Sequence, residues 1–207
     1  GNRGYGMRIG GFLSFTLLDF PGRVAAVVFT QGCNYRCPYC HNRELIPLQP
    51  ESDRMLPETE VRRQIEMYSD RLDGIVVSGG EPTLQPDLAD LLVWVRSLGL
   101  ETKLDTNGSR PQVLVDLLAA RLLSYVAMDI KAPPAKYEEL AGAKDPVGNV
   151  LESIQVIAQS GVEHEFRTTL DESLLSSRDL EQIKGLVPPE SPFRVQKARH
   201  PRIGCQA

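Results

Sequence analysis

The sequence predicts an α/β fold, a partial (βα)6 TIM-like barrel built on a curled parallel sheet, and three observations carry that expectation. Short β-branched runs alternate with longer stretches whose apolar residues recur at helical spacing, and the alternation persists to the C-terminus. The first of these runs, VAAVVFT at 24–30, is continuously apolar, as a parallel strand covered on both faces should be. Six such runs are found, too few to close an eight-stranded barrel but enough to curl a parallel sheet most of the way round. A doubly wound open sheet is the alternative that periodicity leaves open.

Taken in order, the strand at 24–30 leads to a helix over 58–68, with Pro57 suited to the first turn, where a missing N–H costs nothing. The second strand, GIVVS at 74–78, precedes a helix over 87–98 that stops at Gly99, a residue type suited to the left-handed conformation past a helix end. A third strand at 101–105 is followed by a helix opening at Pro111. The fourth, at 125–129, runs into the broken segment KAPPAKYEELAGAKDP and then a helix over 149–159. The fifth strand covers 163–170, a helix lies near 178–184, and the sixth strand is 193–197. The chain reads as one domain over 1–207, with a lead-in at 1–23, a core at 24–200 and a tail at 201–207.

A formal charge of -4 argues against a nucleic-acid binder working through a broad basic face. No apolar run approaches the ~20 residues of a membrane span, and GNRGYGMRIG lacks the apolar region of a secretory signal, so a cytoplasmic protein is expected. In that compartment, clustered cysteines are metal ligands or redox thiols before they are disulfides.

Three of the chain's 4 cysteines, Cys33, Cys37 and Cys40, stand as C-x3-C-x2-C just after the first strand. A redox pair of Cys37 and Cys40 leaves Cys33 without a role. A structural zinc site needs a fourth ligand, from His41, badly placed beside Cys40, or from Cys205 in the terminal tail. A [4Fe-4S] cluster held by three thiolates leaves one iron open to substrate, and the spacing favours this reading. Other distinctive residues also fall where strands end: Gly79, Gly80 and Glu81 in SGGEP, Asp105 and Thr106 in LDTNG, and Asp129 and Lys131 in MDIK. Arg167 lies on a strand expected to be buried and needs a partner there.

C-x3-C-x-aromatic-C, here Cys33, Cys37, Tyr39 and Cys40, resembles the signature of the radical S-adenosylmethionine (SAM) superfamily, whose fold is usually a partial (βα)6 barrel. The resemblance implies that the open iron chelates the amino and carboxylate groups of SAM, and that one electron from the cluster cleaves the sulfonium to methionine and a 5'-deoxyadenosyl radical. It implies that Gly79, Gly80 and Glu81 take the SAM amino group, that Tyr39 meets adenine and that His41 and Asn42 line SAM. An Asn42 side chain capping the next helix explains that residue almost as well.

LDTNG and MDIK are similar to segments of glycyl-radical-enzyme activases. By that likeness Asp105, Thr106, Asp129 and the Ala127 carbonyl would bind a sodium or potassium ion and Lys131 would contact SAM; the superfamily resemblance implies the same contact for Arg167 on the fifth strand, and Gln196 on the sixth is a candidate for the ribose without a motif of its own. Two carboxylates facing one cavity need a cation or Lys131 to compensate them. LLDFPGRVAAVVFTQGC resembles the D-G-P-G lead-in of the same activases, with Phe20 in place of the first glycine, leaving Asp19 as the residue that touches the substrate loop.

With only Cys205 left over, and without an assignment, a second cluster held by four thiolates is excluded. The wording of the cysteine loop, MDIKAP and FRTT is most similar to activases of anaerobic ribonucleoside-triphosphate reductase. The implied function is removal of a glycine Cα hydrogen from that partner, with a reducing electron donor such as flavodoxin or ferredoxin and no nucleic acid or membrane. The alternatives are a radical SAM enzyme acting on another glycyl-radical enzyme, a peptide or a small molecule, and an iron-sulfur or zinc module without SAM chemistry.

Overall fold

The computed structural model describes residues 6–49 and 55–198, so Cys205 and the tail at 201–207 lie outside the described residues. Seven strands form a single sheet in chain order. They are β1 (Ile9–Thr16), β2 (Ala25–Thr30), β3 (Gly74–Gly79), β4 (Glu101–Thr106), β5 (Tyr125–Asp129), β6 (Glu163–Leu170) and β7 (Phe193–Lys197). The six from β2 to β7 pair in parallel, in the order the alternating pattern predicts. The helices between them are α1 (Glu58–Tyr68), α2 (Leu88–Ser97), α3 (Pro111–Ala119), α4 (Pro134–Ala141), α5 (Val147–Gln159) and α6 (Ser177–Lys184). Among the described residues, no helix is long and apolar enough to cross a membrane.

Two elements correct the sequence expectation. The stretch read as a lead-in contains β1, which runs antiparallel to β2 through an irregular register with shifts between Ile9 and Gly11 and between Leu13 and Thr16. Its sequence, IGGFLSFT, has two glycines and one β-branched apolar residue, so strand pairing with β2 rather than propensity makes it a strand. The segment read as broken contains α4, which starts with Pro134 in its first turn and ends at Gly142, held left-handed at φ +62°.

Period-two alternation sorts the strand residues between two sides. Ala26, Val28, Ile75, Val77, Val126 and Met128 join the main core with α1 to α6. Ala25, Val27, Val76, Tyr125 and Ala127 gather with Phe20 in a second cluster on the other, concave face. Phe20, fully buried, closes the amino-terminal end of that face, its ring edge-on to Tyr125 with centroids 6.0 Å apart and capped by the Arg23 guanidinium at 4.7 Å. Gly74 makes room for it, since a Cβ there would meet the Phe20 ring at 2.8 Å. β1 and β7 stand at the two ends of the strand order and do not pair with each other, so the sheet curls without closing.

Candidate functional site

Parallel strands aim their carboxyl ends at one rim, and there a cavity opens with about 850 Å³ of empty space counted out to its mouth. The loop after β2 contributes Cys33, Tyr35, Cys37, Tyr39, Cys40, His41 and Asn42 to its wall. From β3 come Ser78, Gly79, Gly80 and Glu81, and from β4 and its loop Asp105, Thr106 and Asn107. Asp129 and Lys131 end β5, while Thr169 and Gln196 face in from β6 and β7.

Local hydrogen bonding fixes the cysteine loop. The Gly32 and Cys33 amides donate to the Leu45 and Ile46 carbonyls at 2.8 and 3.0 Å, and the Arg36 amide donates to Ala141 O of α4 at 2.7 Å. The Gln31 carboxamide ties the returning chain by donating to Glu44 O at 3.0 Å and Pro47 O at 2.8 Å. Asn42 precedes the short 3-10 turn Arg43–Leu45 but makes no side-chain capping bond, which removes the capping explanation for it. The Tyr39 hydroxyl donates to Lys131 O at 2.7 Å, joining the loop to the end of β5.

The two glycines of SGGEP are required by the cysteine loop itself. A Cβ on Gly79 would meet Thr30 N at 2.3 Å, and one on Gly80 would meet Gly32 O at 2.2 Å. Gly80 N donates to Thr30 O at 2.9 Å and Glu81 N to Gly32 O at 2.8 Å, so the turn lies directly on the chain leading into Cys33. Glu81 is fully buried. Its carboxylate accepts from the Thr83 amide (3.1 Å) and hydroxyl (2.5 Å), the Thr106 hydroxyl (2.8 Å) and the Asn107 amide (2.7 Å). Burial pushes this carboxyl up, and the four donors oppose that. The side chain expected to take an ammonium is thus engaged by protein groups, and it clamps the β3 loop to the β4 loop.

Beneath the cavity runs a buried charge network. Asp105 accepts from the Lys103 ammonium at 2.5 Å and the Ser78 hydroxyl at 3.0 Å. Asp129 accepts from Arg167 Nε at 3.0 Å and Nη2 at 3.3 Å, with Lys131 Nζ 3.3 Å away. Burial pushes the Asp129 carboxyl up, but Arg167 and Lys131 more than offset it and hold the group below the usual carboxylate range. Arg167, expected against SAM, does not line the cavity: it lies under the floor between Asp129, Asp105 (3.7 Å) and Glu165 (4.0 Å).

The same network alters the expected sodium or potassium site. Lys103, Lys131 and Arg167 already compensate its two carboxylates. The Thr106 hydroxyl donates to Glu81 and accepts from the Gly108 amide, and Ala127 is packed in the concave apolar cluster below the cavity. Asp19, expected at the substrate loop, stands away from this cavity. Because β1 is antiparallel, the turn carrying Asp19 lies at the opposite end of β2 from Cys33, across six residues or about 20 Å of strand. There Asp19 accepts from the Thr16 hydroxyl at 2.6 Å, a bond within the turn.

The donor set fits an iron-sulfur cluster. Among the described residues no three His, Cys, Asp or Glu side chains are drawn together round a single metal-ion position. The three thiols instead share a single cavity wall. Burial pushes the Cys33 thiol up to about 11 and raises Cys37 as well, so thiolate ligation there needs the positive charge that iron provides. Lys131 stands ready for a carboxylate: burial pulls its ammonium down, but Asp129, Cys37 and Tyr39 hold it well charged.

Sequence reasoning passed over Tyr35, Ser78, Asn107 and Thr169 on the wall and Lys103 below it. Alternation offered a signal for two of these, since Lys103 and Thr169 lie two residues from Asp105 and Arg167 and share their face.

Three comparisons bear on this geometry. The family model for the radical SAM superfamily matches residues 27–174. A Methanocaldococcus jannaschii protein named as a glycyl-radical enzyme activating enzyme, MJ1227, is 31% identical over 194 residues, covering 91% of this chain and 79% of the relative. The pyruvate formate-lyase-activating enzyme of Clostridium pasteurianum is 36% identical over 106 residues, 49% of this chain and 43% of the relative. Among solved structures, SuiB of Streptococcus suis bound to S-adenosylmethionine superposes with TM-score 0.64 at 15% identity, over 84% of this chain and 40% of that one, a likeness of fold.

Proposed function

This chain belongs to the radical SAM superfamily, whose members use a [4Fe-4S] cluster and SAM, and on that premise we propose that it activates a glycyl-radical enzyme by removing a hydrogen from a glycine Cα. The observation that carries the reading is the convergence of Cys33, Cys37 and Cys40 with the Gly79–Gly80 turn and Lys131 on one cavity. When bound, the cluster and SAM supply the electron and the hydrogen-abstracting carbon radical.

The chain's own residues supply placement. Cys33, Cys37 and Cys40 would hold the cluster and leave it a position for SAM. The Gly79–Gly80 backbone and Lys131 would take the SAM amino and carboxylate groups, and Tyr39, His41, Asn42 and Gln196 would line the nucleoside. Glu81 acts by locking two loops, and Asp105, Asp129 and Arg167 form the charged floor beneath. Among the described residues β1 and β7 do not pair with each other, and we place a lateral entrance between them, where Leu13, paired in register with Val27 on the concave face, is 43% exposed. Glycine suits such an entrance, because a backbone without a side chain can approach a deep site.

The partner we propose is anaerobic ribonucleoside-triphosphate reductase, with flavodoxin or ferredoxin as electron donor. An acidic donor suits the outer side of the cysteine loop, where Arg36 and Arg43 border Cys33 and Cys37 and make no ion pair among the described residues. Anaerobically reconstituted protein incubated with SAM, reductant and the reductase is expected to produce a glycyl doublet in the partner's electron paramagnetic resonance (EPR) spectrum. SAM cleavage with no radical on the partner contradicts the assignment.

A further inference from the structure

Tyr35 stands midway between Cys33 and Cys37 and is only 2% exposed. Its ring packs edge-on against Tyr137 with centroids 6.3 Å apart, and its amide donates to Cys33 Sγ at 3.4 Å. The hydroxyl is buried and has no hydrogen-bond partner among the described residues. The two neighbouring phenols are satisfied: Tyr39 donates to Lys131 O at 2.7 Å, and Tyr137 accepts from the Lys131 amide at 3.1 Å. Buried hydroxyls without partners are costly and rare, and phenylalanine would fill the same ring space without that cost. Tyr35 belongs to the wall shared by the three cysteines, and the nearby Glu81 carboxylate already accepts four hydrogen bonds. The cysteine sulfurs on this wall are acceptors of the kind that a phenol can serve, and Cys33 Sγ already accepts from the Tyr35 amide.

We propose that the Tyr35 hydroxyl donates a hydrogen bond to a sulfur of the bound iron-sulfur cluster, sulfide or cysteine Sγ, and so helps set the cluster's reduction potential. The inference rests on the reading of this cavity as a cluster site. Reduction adds negative charge to the cluster, and a donor aimed at its sulfur stabilises the reduced form more than the oxidised one, raising the potential. A second donor acts in the same sense, since the Asn107 carboxamide points at Cys33 Sγ from 3.9 Å while also donating to Asn34 Oδ1 at 3.0 Å. Tyr35 is a positioning and tuning residue in this account and touches no reacting atom.

The test is a redox titration of reconstituted wild type and Tyr35→Phe, followed by EPR and visible absorption, with iron and sulfide counted in both. The expected result is a full cluster in each and a more negative midpoint in the variant, so that at one fixed potential its reduced-to-oxidised ratio falls several-fold. An unchanged or more positive midpoint with full clusters overturns the hydrogen bond and leaves the cluster assignment standing. A wild type that assembles no [4Fe-4S] cluster overturns both.

Discussion

Glu81 holds the two glycine-bearing loops together through four accepted hydrogen bonds and meets no cation in doing so. Glu81→Ala would strand those buried donors, and a loss of roughly 3–5 kcal/mol is expected in urea unfolding, as when a buried polar network loses its centre. Asp129 is the opposite case, a half-buried carboxylate held between two cations. Its pKa is held below the unfolded value of about 3.9, so its stabilising contribution is complete above that value and is lost as pH falls through the folded one. Asp129→Asn should therefore flatten the acid side of the stability profile while lowering stability at pH 7 by about 1–3 kcal/mol, because Lys131 loses its carboxylate and Arg167 keeps only Asp105 and Glu165. Urea midpoints between pH 3 and 7 check both effects, and an unchanged acid slope would rule out this role. The sequence displayed Glu81 and Asp129 at strand ends, but their different work depends on burial and on partners far along the chain.

At the scale of elements, the six parallel strands β2 to β7 were legible because β2 and β3 carry apolar β-branched runs and the later ones recur regularly between stretches of helical spacing. β1 was not, since its glycines and exposed Leu13 and Phe15 give no alternation, and its strand state comes from pairing with β2. α4 was hidden by the proline pair that starts it. The cysteine loop was readable from spacing alone, whereas the reason for Gly80 is visible only in the packing of its turn on Gly32. Gly80→Ala is expected to cost ~1–3 kcal/mol by overpacking and to lower iron content on reconstitution. Normal iron loading and stability in that variant would show that the turn does not support the loop.

For the whole molecule, the seven-stranded sheet carries a cavity at its carboxyl-end rim, and among the described residues β1 and β7 do not pair to close it. If the partner's glycine enters between these two strands, Leu13→Asp should leave cluster content and SAM cleavage near wild type and reduce the glycyl radical yield several-fold. Equal yield would place the entrance elsewhere. The proposals for partner, donor and entrance all presuppose an iron with room for SAM. Mössbauer spectroscopy of the 57Fe-reconstituted protein tests that most directly. The account predicts four irons of which one changes its spectrum when SAM is added, and a cluster whose irons all ignore SAM, or a preparation holding zinc in place of iron, would contradict it.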